Sequence, residues 1–136
     1  MKWKNIQFGE LEFEEKHVLN FPYGLIGFEE NRKFLVVNDE ESEPFRWLVS
    51  LDDPELSFPM IDVSTYSEIS NKYFPKENVT LFAVASIKEH FDESTVNMRS
   101  PIVIDNADRK GKQIVLDDDV LMVRTPLTSF TPVLME

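Results

Sequence analysis

Short apolar runs with a two-residue period recur about every ten residues along this chain, each bounded by a turn signal. In NIQFGELEF, Ile6 and Phe8 alternate with polar residues, Leu11 and Phe13 do the same, and Gly9-Glu10 lies between them, which predicts a hairpin. HVLNF (17–21) extends the pairing. FLVV (34–37) suits a strand buried on both faces. RWLVSL places Trp47, Val49 and Leu51 on one side, and LSFPM does so with Leu56, Phe58 and Met60, with Pro59 marking an edge or a bulge. VTLFAVASI (79–87) is the longest candidate, and TVNM, PIVI, QIVL and LMVR follow it. The links between runs (NDEESEP, LDDPE, DNADRKGK, DDD) are acidic or rich in turn formers. The pattern predicts an all-β, mainly antiparallel fold, a small β-barrel-like or sandwich domain. One segment departs from it. In TYSEISNKYF, Thr65 and Glu68 make a capping box, Tyr66, Ile69 and Tyr73 share a face, and Pro75 closes the run, so one short helix is expected near residues 65–73. No repeat or linker divides the chain, and residues 1–136 are read as a single domain.

Charge narrows the function classes. The chain carries 25 acidic and 14 basic side chains, a net charge of −11. Residues 1–68 hold 15 of the acids and 6 of the bases, so the excess is concentrated in the first half. A binder of nucleic acid needs lysine and arginine to displace counterions from phosphate, and this chain repels phosphate as a whole. Anionic lipid is disfavoured for the same reason. A basic protein partner, in contrast, would be steered inward. The same excess also serves plain solubility. There is no cysteine, hence no disulfide framework and no thiolate chemistry. MKWKNIQFGE has no apolar run after its lysines and no stretch nears the length of a membrane span, so a soluble cytoplasmic protein is expected.

Candidate chemistry is sparse. FPYGLIGFEE (21–30) has two glycines three apart, but a dinucleotide loop wants a third glycine and a long helix, and a P-loop wants Lys-Ser/Thr. Here Glu29 and Glu30 follow and would repel a phosphate, so the glycines are read as a bend that folds Leu25, Ile26 and Phe28 onto a core or stands them out as a contact surface. His17 and His90 stand alone, without zinc-ligand spacing. Ser50 lacks a nucleophile elbow, and Asp117–Asp119 lacks the alternating ligands of a calcium loop. Arg109, Lys110 and Lys112 suit a charged hairpin tip better than an RNA contact. No catalytic residue, metal site or cofactor is assigned. Carboxylates are numerous enough to keep a two-carboxylate hydrolase on a β-barrel as an alternative.

Three separated segments carry a resemblance: FPYGLIGFEENRKF (21–34), PFRWLVSLDDPELSF (44–58) and TVNMRSPIVIDNADRKGKQIVL (95–116). In this order and with these gaps the chain resembles the FliW family of flagellar assembly factors over nearly its whole length. Ile26 stands where the family form GLPGFE has proline. The resemblance implies a β-barrel-like protein without catalytic activity and with two protein partners, cytoplasmic flagellin and the translational repressor CsrA. It further implies a partner switch in which flagellin export frees the protein to bind CsrA, so that flagellin mRNA is translated; an allosteric route is implied over simple blocking. A simple export chaperone for one subunit is the other alternative. The acid-rich links supply the candidate electrostatic contacts: Asp39, Glu40, Glu41, Glu43, Asp52, Asp53 and Glu55. Phe28, Phe45 and Tyr66 are the candidate aromatic anchors.

Overall fold

The structure, a computed structural model, describes residues 1–64, 78–116 and 123–126. Eleven strands are present among them: β1 (Lys2–Asn5), β2 (Gly9–Glu12), β3 (Leu19–Asn20), β4 (Lys33–Asn38), β5 (Arg46–Ser50), β6 (Ser57–Asp62), β7 (Val79–Ser86), β8 (Thr95–Val96), β9 (Ile102–Asp105), β10 (Lys110–Gln113) and β11 (Thr125–Pro126). Strands β1 and β2 form a separate hairpin. The others run β11-β8-β7-β6-β5-β4-β3-β10-β9, and β9 pairs back onto β7. That last pairing closes a ring of seven strands, β3 to β7 with β9 and β10, so most of the sheet has no free edge. Pairing is antiparallel except where β10 meets β3, Lys110 beside Asn20.

β7 holds the fold together because it serves two neighbours on one side. Its first half pairs with β9, Val79 opposite Asp105 through Phe82 opposite Ile102, and its last residues Ala85 and Ser86 pair with β8. Both of its faces are covered. Phe82 and Val84 point into the barrel with Phe21, Phe34, Leu48, Met60, Ile102 and Ile104. Leu81, Ala83 and Ala85 point outward against a second apolar layer that includes Phe45, Ile61, Val63, Val96, Met98 and Leu116. A strand buried on both faces needs no polar alternation, which is why LFAVA reads as an unbroken apolar run. Inside the barrel, the rings of Phe21 and Phe34 meet edge to face at 4.9 Å, and both are fully buried.

Several boundaries differ from the sequence expectation. The first hairpin turns at Ile6–Phe8 rather than at Gly9-Glu10, because the Asn5 side chain accepts the N–H groups of Gln7 (2.8 Å) and Phe8 (3.0 Å) and bends the chain early. Gly9, with φ of +72°, then opens the return strand. QIVL is not a strand: β10 ends at Gln113, and Leu116 turns onto the outer layer with its N–H on the carbonyl of Arg99. TVNM contributes only Thr95 and Val96, since the Asn97 side chain accepts from Arg99 and Ser100 and starts a bend. Three short 3₁₀ turns (Glu15–His17, Glu40–Ser42 and Phe91–Glu93) are present, and the first takes His17 out of the HVLNF run, of which only Leu19–Asn20 is strand. The helix expected near 65–73, Tyr66 with it, and Leu121-Met122 of LMVR lie outside the described residues.

Candidate partner-binding surfaces

The antiparallel ladder β4-β5-β6 sends successive links to opposite ends of the barrel. Asp39, Glu40, Glu41 and Glu43 lie in the β4–β5 link at one end, and Asp52, Asp53 and Glu55 lie in the β5–β6 link at the other. Five residues of β5 separate them, about 17 Å of strand. The acids therefore form two patches.

Their side chains also divide by role. Asp52 accepts the backbone N–H groups of Arg32 (2.7 Å) and Lys33 (3.0 Å), tying the start of β4 to the β5–β6 turn. Asp53 accepts from Glu55 N (2.9 Å), and Asp39 from Glu41 N (3.1 Å). These three carboxylates cap turns. Glu40, Glu41, Glu43 and Glu55 are exposed and enter no ion pair among the described residues, so their charge faces solvent. Phe45, just before β5, is 6% exposed within the outer apolar layer and offers little surface to a partner. Phe28 is 38% exposed.

Phe28 belongs to the loop of residues 21–32, which crosses the same end of the barrel as Asp52. Gly24 donates its N–H to the carbonyl of Phe21 (2.9 Å) with φ of +64°. A Cβ there would sit 2.6 Å from the Glu29 backbone, so only glycine lets the two passes of the loop close on each other. Leu25 turns in and is buried, and Phe28 N–H returns to its carbonyl at 2.8 Å. Gly27, with φ of +86°, donates to the Glu29 carboxylate at 3.1 Å. That backbone hydrogen bond, joined by the one from Glu29's own N–H, holds the Glu29 carboxyl below its ordinary value of 4.5. A buried bond then locks the loop to the β5–β6 turn: Ser50 Oγ donates to Asn31 Oδ1 at 2.6 Å while accepting from Asp52 and Asp53 N–H. The result is a rigid loop that leaves Tyr23, Ile26 and Phe28 on the surface.

Beside this loop runs a groove of about 480 Å³. Leu25, Ile26, Phe28, Phe58, Val84 and Ala85 supply its apolar wall, with Phe28 and Phe58 edge to face at 5.0 Å. Gln113 joins the loop to the barrel, its side chain accepting from Ile26 N–H (3.0 Å) and donating to Ser100 O (3.2 Å). The polar rim includes Lys88, Glu93 and Arg124. Glu93 is the one carboxylate among the lining residues, so the paired acids that glycoside or related hydrolysis needs are not brought together here. Sequence reasoning reached Ile26 and Phe28 through the glycines. It missed Lys88 and Arg124, which come from links distant in sequence that meet only in the closed fold.

A small closed barrel whose candidate sites are exposed charge and an open apolar groove is a binding module. The comparisons give it a family. The FliW protein family model matches residues 2–127. The flagellar assembly factor FliW of Thermosipho africanus is 39% identical over 139 residues, covering 93% of this chain and 96% of that protein. The one from Caldanaerobacter subterraneus subsp. tengcongensis is 33% identical, covering 93% of each. A crystal structure of the flagellar assembly factor FliW superposes with a TM-score of 0.81 at 27% identity over 93% of this chain and 96% of that one. The chain belongs to the FliW family of flagellar assembly factors, a non-enzymatic class, and the hydrolase alternative falls with that assignment.

Proposed function

We propose that this protein works in the cytoplasm as a partner switch. It holds flagellin while flagellin is abundant there, and once export frees it, it binds the translational repressor CsrA, which then releases flagellin mRNA. The observation that carries this reading is the FliW match over residues 2–127, with a relative named flagellar assembly factor that covers 93% of this chain and 96% of its own length. Charge supports it. A protein of net charge −11 attracts a repressor whose positive surface serves to hold RNA phosphate, and it is repelled by the message itself. Glu40, Glu41, Glu43 and Glu55 are the proposed steering contacts and Phe28 the proposed aromatic anchor, acting from a single domain.

A gel-shift assay tests the switch. Added protein should move CsrA off a flagellin leader RNA without itself shifting that RNA, and added flagellin should reverse the effect. Direct, salt-sensitive RNA binding by this chain alone would overturn the reading. A pull-down from cells lacking flagellin separates the switch from a one-partner chaperone, because only the switch predicts that CsrA is recovered there.

A further inference from the structure

We propose that the groove between the 21–32 loop and the end of β7 is a docking site for an apolar peptide segment that carries a carboxylate. The proposal rests on the groove alone and stands whether or not flagellin or CsrA is a partner.

The groove exists because a ladder stops short. β6 and β7 pair from Asp62–Phe82 to Met60–Val84 and no further. Continued by one residue, this register sets Pro59 across from Ala85, and proline has no N–H to give. The direction of the Ala85 carbonyl follows from its neighbours. Val63 N–H bonds Leu81 O on the β6 side, and Asn97 N–H bonds Val84 O on the β8 side, so odd residues of β7 face β6 and Ala85 does too. Its carbonyl is thus aimed at the gap with no donor from Pro59. Beyond Met60 no β6–β7 pairing is present, and Phe58, Val84 and Ala85 line the groove.

Three features then specify an occupant. The apolar wall includes two residues more than half exposed, Ile26 (56%) and Val123 (51%), an open face that suits a chain segment rather than an enclosed small molecule. The Ala85 carbonyl seeks a main-chain N–H, which a peptide has and a lipid tail lacks. Finally, Lys88 and Arg124 stand on the rim and make no ion pair among the described residues, although the chain carries 25 acids against 14 bases. Placed together on the rim of an apolar groove, these two cations are complementary to a negative group on the ligand. Glu93 also lines the rim and sets a preference for one carboxylate over a run of them. The groove therefore selects the charge opposite to that drawn by the acidic links, and the molecule presents two surfaces that do not compete for the same ligand.

The test is selection of a phage-displayed random dodecapeptide library on the full-length protein, followed by fluorescence polarisation of the enriched peptides. Enriched sequences should combine apolar residues with an aspartate, a glutamate or a free C-terminal carboxylate. Their affinity should fall at least tenfold for the Lys88→Glu, Arg124→Glu double variant, whose two positions are exposed, and recover when the peptide's acid is changed to lysine. Circular dichroism checks that the variant is folded; should it not be, Lys88→Gln with Arg124→Gln takes its place, with a smaller loss expected. Basic enriched peptides, binders indifferent to these variants, or no enriched binder would each overturn the proposal. So would a concentration-dependent dimer that Ile26→Asp dissociates, which would make a second copy the occupant.

Discussion

Gly24 and Gly27 stand three apart in one loop, both with positive φ, yet their surroundings differ. A Cβ on Gly24 meets the Glu29 backbone at 2.6 Å, whereas one on Gly27 meets nothing within 4 Å. Gly27→Ala thus carries only the left-handed backbone cost of about 1–2 kcal/mol, and Gly24→Ala adds the overlap, for a total of about 2–4 kcal/mol. Urea unfolding should show that order, and equal losses would mean that the loop does not pack as described. Gly111 is a third case without positive φ: a Cβ would fall 2.2 Å from the ring of Phe21, which is fully buried and has no room to retreat. Glu29 gives a pH signature. Its folded carboxyl titrates below 4.5, chiefly because Gly27 N–H bonds the ionised form, so its contribution is complete above that value and is lost as pH falls through the lowered one. Because the side chain is fully exposed, the effect is small. Melting curves from pH ~6 down to ~3 should converge for wild type and Glu29→Gln at the acid end and separate, wild type higher, above the ordinary carboxylate value.

At the scale of elements, the tie between the 21–32 loop and the β5–β6 turn runs through one carboxylate, since Asp52 accepts from both Arg32 and Lys33. Asp52→Ala leaves two N–H groups to water and should cost about 1–2 kcal/mol, read as a lower urea midpoint with the slope unchanged. A midpoint within error of wild type would show that the tie is dispensable. Asp52 and Asp53 cap turns besides carrying charge, so replacing them with lysine perturbs folding as well as approach. Sequence could not separate these roles, because a capping aspartate and a solvated one have the same neighbours in the chain. Strand existence was legible where alternation or a long apolar run marked it, as in FLVV, RWLVS and VTLFAVAS. Strand ends were less so, because Asn5 and Asn97 stop strands with side-chain hydrogen bonds that periodicity does not register. Closure was out of reach. It depends on β9 pairing back onto β7 and on the parallel contact of Lys110 with Asn20, a pairing between segments far apart in sequence. The groove inherits that difficulty, although Pro59, its cause, stood out in the sequence.

For the whole molecule the question is whether a net charge of −11 acts as one field or as two patches. The β4–β5 and β5–β6 links are about 17 Å apart along β5. Screening extends about 8 Å at physiological ionic strength and about 30 Å at 0.01 M, so the ends are independent in the first condition and merge in the second. Glu40 and Glu41 are exposed, unpaired and free of capping duty, which makes them the clean site for a charge test. Reversing both to lysine should change stability by no more than about 0.5 kcal/mol. Association with CsrA, the basic partner proposed here, should slow several-fold at low salt, with dissociation little altered. The control reverses Glu30 and Glu89, exposed acids outside the proposed contacts, for the same change in net charge. Stopped-flow rates at about 0.01 M and 0.15 M salt distinguish the outcomes. If the Glu40, Glu41 pair slows binding more than the control and the gap widens toward physiological salt, the β4–β5 end is the face of approach. Equal slowing at low salt that vanishes in both at high salt would assign the steering to net charge alone and remove these residues as contacts.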